Sequence, residues 1–560
     1  MRSTLTCTLL GLIFFAGVIS AQSPRAKTSA AITVADLRTR LYAIADDSMQ
    51  GRYTGSAGDF KTADYVASEF KRLGLTPGGE QGGWFQTVPF VVAKPRSREI
   101  RVSGGHALVL GRDYVIRNQV AVSQTPWGSG EAPVDAVFGG VAGDTMSWIS
   151  AENAAGKIVL LDVRPEPDGE RADPNLNRMA RAARFRGVAG LVIVDLDLLT
   201  PDARVRLSNP RPILDSTRQA LPVVVSVTPA AAQEIAGGPL DRLTTGATLR
   251  ALQGGVDLRY VPTDSPARNV IGILPGRDPA LRGEYVSASA HNDHVGICSA
   301  PVDHDSMRAF LRVYRPMGAD TRMWTTTPDG DAQVRVILDS LRKNHPMRAD
   351  SICNGADDDG SGTVALLELA EYFASLPPAR RPARSILFVN HTAEEIGLLG
   401  SAWFTDHPTV PLDSIVGEID EDMIGRGQKE DLPKGGPGYL EVVGAKRLSV
   451  EFGNLLEAAN AAQKVPFDFN YEFDVPGHPL QYYCRADHYS YARYGIPSVA
   501  FSRGEHLDYH QVTDEAQYID YDDMARVITM VRDAIALVAN LDHRPKLDHP
   551  KTDPHERCVQ

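Results

Sequence analysis

Five short segments carry the acidic and histidine side chains that bind metal ions in proteins. In chain order they are 290–294 (AHNDH), 354–362 (NGADDDGSG), 391–397 (HTAEEIG), 420–425 (DEDMIG) and 504–510 (GEHLDYH). Three consecutive acids in the second segment repel one another unless a cation compensates them or all three reach water. Mixed nitrogen and oxygen ligands suit zinc, with manganese or cobalt as substitutes. The five segments together predict a metal site.

The adjacent acids Glu394 and Glu395 follow a short apolar run that predicts a buried strand. Adjacent residues leaving a strand point in different directions. One carboxylate can therefore bind a metal ion while its neighbour faces a metal-bound water as general base. Each segment alone also fits a simpler interpretation, such as a solvated turn or a structural histidine. Their combination favours a catalytic metal site over these simpler interpretations.

The elements between these segments have to bring them together. From residue 268 onward, strand-like runs alternate with helical patterns, which predicts an α/β fold with a mixed, mostly parallel sheet covered by helices on both faces. Ligand sites in such sheets lie outside the carboxyl ends of the strands, where all five segments fall. The predicted strands are Tyr285–Ala290, Ser385–Asn390, Ile415–Ile419 and Ser498–Phe501, and the predicted helices are Asp59–Leu73, Thr363–Phe373 and Met524–Ala539.

Between residues 120 and 255 the sequence changes to short β-branched runs separated by glycine and proline, and it contains no histidine. This texture predicts a separate, mainly-β binding or lid domain. The predicted organisation is a signal peptide (1–21), the N-terminal part of the main domain (32–119), the inserted domain (120–255), the catalytic part of the main domain (256–541, with an insert at 298–353) and a loose tail (542–560).

The N-terminus carries Arg2, a short apolar run and the small residues Ser20 and Ala21, which predicts a cleaved export signal, with an uncleaved anchor as the alternative. We therefore expect a periplasmic or secreted protein that has no membrane contact after cleavage. A net charge of -12 argues against a nucleic-acid partner. The oligomeric state stays open.

Four cysteines remain after the signal, and they allow three pairings. They are Cys298, Cys353, Cys484 and Cys558. Their wide spacing fits no cysteine-based zinc motif. We expect a Cys298–Cys353 disulfide, because these two residues bracket the insert.

The five segments, in this order, resemble the motifs of the M28 family of zinc peptidases, of the bacterial aminopeptidase type. The matching stretches are SAHNDHVG, NGADDDGSG, HTAEEIGLLGS, DEDMIGR and ADHYSYARYGIPSVAF with the later DYH. The stretch ADYVASEFKRLGLTPGG resembles the family's N-terminal helix, and residues 120–255 resemble its inserted protease-associated domain. The resemblance covers almost the whole mature chain and is specific as a set.

The resemblance implies two zinc ions per chain. His291 and Asp422 would hold one ion, Glu395 and His510 the other, and Asp358, the middle acid of the triplet, would bridge both. Two cations about 3.5–4 Å apart need a shared anionic bridge, and they make a bound water acidic enough to be hydroxide near neutral pH.

The resemblance also assigns roles around the metal ions. Glu394 matches the general base and Asp293 the residue that orients His291. Tyr483 matches a tyrosine that assists the oxyanion in some family members, and Tyr509 is the rival for that role. Asp487 resembles a residue that supports the metal ligands from behind.

The leading hypothesis from the sequence is hydrolysis of N-terminal residues from peptides. A carboxypeptidase or dipeptidase is the enzymatic alternative, and it would need a cationic clamp, from arginines of the insert or Arg485. A non-catalytic binding protein on the same fold is a third possibility, but here every ligand position is filled. The insert at 298–353 departs from the family's short loop and is either a lid over the cleft or a surface loop.

Overall fold

The computed structural model describes residues 28–117, 124–125, 132–142, 144–164, 183–199, 201–215, 221–318, 326–343, 346–551 and 553–560. The predicted signal peptide, residues 1–21, lies outside these ranges. Within the described ranges, none of the helices has the length and apolar character needed to cross a membrane.

The strands within the described residues are numbered along the chain. They are β1 Thr76–Pro77, β2 Phe85–Thr87, β3 Phe90–Val102, β4 Ala107–Leu108, β5 Tyr114–Ile116, β6 Gln124–Thr125, β7 Val134–Val141, β8 Ile158–Asp162, β9 Gly190–Val194, β10 Ile213–Leu214, β11 Leu221–Val227, β12 Thr248–Pro262, β13 Arg268–Leu274, β14 Tyr285–His291, β15 Gly296–Asp303, β16 Ala349–Cys353, β17 Ser385–His391, β18 Ile415–Glu421, β19 Tyr439–Val443, β20 Asp468–Asn470 and β21 Ser498–Ser502.

The α-helices of the same residues are numbered likewise, and short 3-10 turns such as Asp47–Arg52 complete the secondary structure. They are α1 Val34–Ile44, α2 Ala57–Leu73, α3 Ala151–Ala154, α4 Pro201–Ser208, α5 Pro229–Ala236, α6 His304–Tyr314, α7 Pro328–Leu341, α8 Gly360–Ser375, α9 Leu399–Asp406, α10 Val450–Ala461, α11 His488–Ala492 and α12 Tyr521–Ala539.

The central sheet has nine strands in the order β1-β13-β17-β14-β18-β21-β19-β20, with β2 beside β13. The inner strands β17, β14, β18 and β21 run parallel, whereas β13 and β19 pair antiparallel at the flanks. This confirms the predicted mixed, mostly parallel sheet, and each predicted strand and helix lies within one of these elements.

Both faces of the central sheet are buried, as the unbroken apolar sequence of β17 requires. Phe388 packs into a core shared with α1, α2, α8 and α12. Leu387 and Val389, which point the opposite way, pack with Phe404 of α9 and Tyr491 of α11. The loops that carry the candidate site therefore follow strands that are packed on both faces.

A second sheet of ten strands contains β3 to β12, and its cores are separate from those of the central sheet. The chain enters this sheet through β3 and leaves it through β12, and because these two strands pair antiparallel, with Val91 opposite Pro262, both connections to the main domain lie side by side. The predicted boundaries at 120 and 255 lie inside it, because the sheet already begins at Phe90 and ends at Pro262. Sequence texture missed β3, whose run of charged residues near its centre does not look like a strand.

The insert between the first and second segments begins and ends as a strand pair, β15 with β16, and carries α6 and α7. A disulfide between Cys298 and Cys353 joins the two strands, as predicted. A second disulfide joins Cys484 to Cys558. The C-terminal stretch is therefore not the loose tail expected from its composition: the Gln560 backbone oxygen also accepts from the Gly477 amide at 2.7 Å.

Replacing both Cys298 and Cys353 by serine should lower the free energy of unfolding by about 2–4 kcal/mol. The bond closes a loop with a sequence separation of 55 residues, and opening it returns that conformational freedom to the unfolded chain. Urea unfolding of the oxidised wild type and the variant measures the difference. Equal stabilities would contradict a stabilising role for this bond.

Candidate metal centre

The candidate ligands meet at the carboxyl edge of the central sheet. His291 is the last residue of β14, Glu395 follows β17, and Asp422 follows β18 directly. Asp358 stands just before α8, and His510 lies on the loop after β21. Four different strands and one helix start thus deliver one side chain each.

One group of possible ligand atoms comes from His291, Asp358 and Asp422. The Nε2 atom of His291 lies 3.2 Å from Oδ1 of Asp358 and 3.7 Å from Oδ1 of Asp422. The donor atoms of the group all lie within 4.8 Å of one another. Their chemistry, one imidazole nitrogen and two carboxylate oxygens, suits a zinc ion.

The second group contains Asp358, Glu395 and His510, and also His294. Nε2 of His510 lies 3.0 Å from Oδ2 of Asp358 and 2.9 Å from Oε2 of Glu395. Nδ1 of His294 lies 2.7 Å from Oε1 of Glu395. Asp358 thus turns one oxygen toward each group, which is the geometry of a shared ligand.

Several donor atoms of both groups are buried and, despite the short distances between them, make no hydrogen bond of suitable angle among the described residues. They are Nε2 of His291, both ring nitrogens of His294, Oδ2 of Asp358, Oε1 of Glu395 and Nε2 of His510. Buried polar atoms are normally satisfied, and leaving one unpaired costs about 1–3 kcal/mol. The residues present therefore fit bound metal ions.

The electrostatics of the two groups agree with that interpretation. Burial alone would lower the pKa of His510, but the carboxylates of Glu395 and Asp358 raise it to about 10. Burial likewise favours protonation of Asp358, yet the surrounding imidazoles hold its pKa well below the ordinary value. The carboxylates thus attract positive charge into the site, and a divalent cation supplies it with release of the imidazole protons.

Glu394 stands beside the two groups and belongs to neither. Its Oε2 lies 4.0 Å from Nε2 of His291, and burial, opposed by that imidazole, raises the pKa of the carboxyl. Its side chain lines the pocket that opens onto the site. Glu394 thus lies next to the donor groups and faces the cleft, which is the position that the predicted general base requires.

Asp293 connects the loops of His291 and Glu394. Its Oδ1 accepts from the Glu394 amide at 3.1 Å, and its Oδ2 accepts from the Thr54 hydroxyl at 2.7 Å. Nδ1 of His291 lies 3.1 Å from the Asp293 backbone oxygen and 3.7 Å from its carboxylate. The ring is therefore held at Nδ1, which leaves Nε2 directed at the metal groups.

The three consecutive acids have three different partners. Asp357 accepts from the Gly425 amide at 2.6 Å, and Asp359 accepts from the Gly362 amide at 2.8 Å and from the amide of His291 at 3.1 Å. The two outer acids thus tie neighbouring loops together. Only the middle acid, Asp358, belongs to both metal groups.

The two candidate tyrosines differ in position. Tyr509 lines the pocket and stacks on the His510 ring at 3.8 Å. Tyr483 is 3 % exposed and packs against His488 and under the Arg447 guanidinium, in an apolar cluster of its own. Of the two, the structure brings only Tyr509 to the pocket.

Asp487, expected behind the ligands, is buried. Burial, opposed by His291, raises the pKa of its carboxyl to about 7. The imidazole of His291 lowers this pKa and the carboxylate of Asp422 raises it, so Asp487 lies within electrostatic reach of the first metal group.

Backbone strain marks three of these loops. Ala393, Met423 and His510 adopt positive φ angles of 63°, 63° and 57°. Such conformations cost about 1–3 kcal/mol each in residues other than glycine, and they persist where the surrounding structure enforces them. Each lies at, or next to, a candidate site residue.

Sequence reasoning gave no role to Arg52, which organises the site from below. Its guanidinium is 1 % exposed and donates to the backbone oxygens of Asn292, Gly355 and Asp358 at 3.0, 2.9 and 3.2 Å. It thereby holds the first and second segments together. No sequence signal could have shown this, because carbonyl groups are the same at every residue.

His294 is a further candidate ligand that sequence reasoning missed, although it lies in the first segment. Replacing it by Gln should weaken zinc binding at the group of Glu395 and His510 by about 10- to 100-fold, and leave the group of His291 and Asp422 nearly unchanged. Zinc titration by calorimetry, which separates two classes of site, measures this. Two unchanged affinities would remove His294 from the site.

The insert touches the metal centre through the loop that carries His510. Arg308 of α6 donates to the buried Asp508 carboxylate at 2.7 Å. Arg315, just after α6, donates to the backbone oxygens of Leu507 and Tyr509 at 2.9 and 2.7 Å. These contacts fix the backbone on both sides of Asp508, directly before the candidate ligand.

Replacing Arg315 by Met should therefore lower the affinity of the zinc that His510 binds by about 10-fold, because removal of a supporting contact loosens the ligand. Arg335→Met, at an exposed position of α7 in the same insert, is the matched control. Zinc affinity is measured for both variants. Equal zinc affinities in wild type and Arg315→Met would show that the insert does not support zinc binding.

Residues 269–535 match the sequence family "Peptidase family M28". A leucine aminopeptidase 1 from Paracoccidioides brasiliensis is 33 % identical over 181 residues, which are 30 % of this chain and 43 % of that protein. A probable zinc metalloprotease from Pyricularia oryzae is 29 % identical over 204 residues, 31 % of this chain and 40 % of that protein. The match thus spans less than half the length of these curated relatives.

A solved structure of a zinc aminopeptidase from Bacillus subtilis superposes with a TM-score of 0.54. The superposition covers 91 % of this chain and 96 % of the other, at 18 % sequence identity. The likeness concerns the fold, and at this identity it carries no residue roles.

Proposed function

We propose that this chain, which belongs to peptidase family M28 through residues 269–535, is a zinc-dependent aminopeptidase that removes N-terminal residues from peptides. The observation that carries the proposal is the position of Asp358, whose two oxygens face two separate donor groups beside the carboxylate of Glu394. The proposal includes two zinc ions per chain, one at each group.

Zinc in the two groups would supply Lewis-acid polarisation of the scissile carbonyl and a more acidic water. Glu394 accepts the proton of the attacking water at its carboxylate and returns it to the leaving amine. Asp293 holds the backbone of Glu394 and the ring of His291 in place for that transfer. The hydroxyl of Tyr509, on the pocket wall, is the proposed donor to the oxyanion.

Among the described residues, three arginines that could clamp a substrate carboxylate are paired within the protein. Arg485 donates to Glu505 at 2.8 Å, and Arg308 and Arg315 hold the loop before His510. This supports recognition of a free amine over a free carboxylate. Two disulfides support the proposed export, because such bonds persist in oxidising compartments.

Hydrolysis of a panel of aminoacyl amides, each with its N-acetylated counterpart, tests the proposal. We expect turnover that zinc chelation abolishes, that added zinc restores, and that acetylation of the amine eliminates. Equal cleavage with and without acetylation would show that the free amine is not recognised, and cleavage of N-acetylated dipeptides with a free carboxylate, but of none of the amides, would point to a carboxypeptidase. A protein that retains two zinc ions and cleaves none of these peptides would be a binding protein on this fold.

A further inference from the structure

Residues 472–486, here called the wall segment, form one side of the pocket beside the metal centre. The segment contributes three residues to the lining of this pocket: Tyr482, Arg485 and Ala486. A second cavity adjoins the pocket at Tyr482, and its lining includes four further residues of the segment: Phe473, His478, Pro479 and Leu480. The shape of the pocket therefore depends on how the wall segment is held in place.

The wall segment has little regular structure of its own. The structure describes all of its residues, and within them two short 3-10 turns, Glu472–Asp474 and Tyr482–Cys484, are joined by irregular backbone. Hydrogen bonds inside the segment close single turns, as from the Cys484 amide to the Gln481 oxygen at 2.9 Å. Such a bond shapes one turn but does not fix its position relative to the other turn, so contacts from outside the segment have to do this.

Gln560 connects the two ends of the wall segment. Its side chain is buried, and Nε2 donates to the backbone oxygen of Phe473 and, at 3.4 Å, to that of Val475. Its Oε1 accepts from the Tyr483 amide at 3.2 Å, and its backbone oxygen accepts from the Gly477 amide at 2.7 Å. Backbone groups at both ends of the segment thus have Gln560 as a hydrogen-bond partner, and buried backbone groups that lose a partner destabilise their conformation.

A covalent bond holds the chain next to Gln560 against the wall segment. The disulfide between Cys484 and Cys558 joins the second turn to the chain two residues before Gln560. Tyr483 and Cys558 also pack in one apolar cluster with Ala500, which lines the pocket from β21. The chain around Gln560 therefore lies directly behind the lining of the pocket.

Arg447 makes a second connection between the two turns, through side chains. Its Nε donates to Oδ1 of Asp474 at 2.5 Å, and its guanidinium carbon lies 4.2 Å from the centre of the Tyr483 ring. Arg447 thus contacts side chains of both turns, whereas Gln560 binds their backbones. The two residues together fix the segment that lines the pocket.

We propose that Gln560 is a positioning residue for substrate binding: it fixes the wall segment so that Tyr482 and Arg485 are prearranged in the pocket. The inference rests on the proposed aminopeptidase function and deepens it. Groups that are held in place before binding lose less conformational freedom when the substrate binds, so a fixed wall segment lowers KM. The candidate metal ligands and Glu394 lie on other segments, so Gln560 acts on substrate binding and leaves the chemical step unchanged.

Gln560→Ala is expected to raise KM for leucine p-nitroanilide about 3- to 10-fold, the effect of ordering one or two side chains on binding, and to keep kcat within about 2-fold. Zinc content should equal that of the wild type. The split between KM and kcat separates positioning from stability, because partial unfolding lowers the concentration of active enzyme, and hence the apparent kcat, without changing KM. Gln463→Ala, just after α10, where the side-chain amide donates to the Ala459 oxygen at 2.9 Å, is the matched control and should keep both wild-type constants.

A double-mutant cycle provides a second measurement, which also tests the inference if Gln560→Ala does not fold. Cys484→Ala/Cys558→Ala should likewise raise KM. Combined with Gln560→Ala, it should raise KM by less than the product of the two separate effects, because both changes release the same segment. Effects that multiply in full would contradict a shared action on the wall segment.

An unchanged KM in Gln560→Ala, or in the disulfide variant where it replaces Gln560→Ala, would overturn the inference. So would a fall in kcat at unchanged KM, since Gln560 would then contribute to stability alone. In these cases turnover by the wild type upholds the aminopeptidase. Absence of wild-type turnover on every aminoacyl p-nitroanilide would refute the proposed function, and this inference with it.

Discussion

Replacing Glu394 by Gln is expected to lower kcat by about 10²- to 10⁴-fold, the usual contribution of general acid–base catalysis. The amide keeps the size of the side chain but cannot accept the proton of the attacking water. Because Glu394 belongs to neither donor group, the variant should retain the zinc content of the wild type. Steady-state kinetics on a Leu or Lys p-nitroanilide and elemental analysis of zinc measure the two quantities together.

Glu457→Gln, the same change on α10, where the carboxylate pairs with Lys446 at 2.7 Å, controls for the substitution as such. Glu394→Asp, with a shorter carboxylate, should retain part of the activity. Activity that survives in Glu394→Gln would show that another group takes the proton. A loss of zinc in that variant would instead make Glu394 a ligand. Either outcome would require reassignment of the pair Glu394 and Glu395.

Replacing Asp358 by Asn, unlike Glu394→Gln, is expected to weaken zinc binding strongly. Each oxygen of Asp358 faces one donor group, so its loss weakens both sites and leaves like charges without their shared bridge. Changes behind the ligands typically cost 10- to 100-fold in metal affinity, so loss of a shared ligand should exceed about 100-fold. Zinc stoichiometry after dialysis against a weak chelator, together with activity, measures the effect.

Asp533→Asn, at a position where the carboxylate pairs with Arg532 far along α12, is the control for Asp358→Asn. Activity of Asp358→Asn that returns fully at high zinc would show that the bridge serves affinity only. Retention of two tightly bound ions would contradict the shared-ligand geometry.

The central fold could be predicted because its physical signals are local. The buried strand β17 is an apolar run, and α2 combines helical spacing with Gly74, whose positive φ ends the helix. The start of the second sheet at Phe90 was not predicted, because charged residues lie near the centre of β3. A strand is predicted from the pattern of its side chains, whereas its pairing in the sheet is made by backbone hydrogen bonds. The anchored C-terminus escaped for a related reason, since composition does not show that Cys558 reaches Cys484.

The candidate site could be predicted where a residue's chemistry is its signal. The five proposed ligands and Glu394 lie together at one sheet edge. The contribution of His294 needed three dimensions, because its distance to Glu395 depends on how two loops fold. The position of Tyr483 did as well: adjacent residues on a turn face different ways, and here Tyr482 lines the pocket while Tyr483 packs behind it.

The disulfide at the base of the insert separates a region that can vary in length from one that cannot. Cα atoms of Cys298 and Cys353 are 5.7 Å apart, so the chain leaves and returns at nearly the same place, with Asp358 a few residues beyond. Insertions or deletions between the two cysteines can therefore change the shape of the insert without changing the spacing of the candidate metal ligands. Among the described residues, Arg308 and Arg315 connect this variable region to the loop of His510, so a change in the insert can reach the candidate metal centre through them.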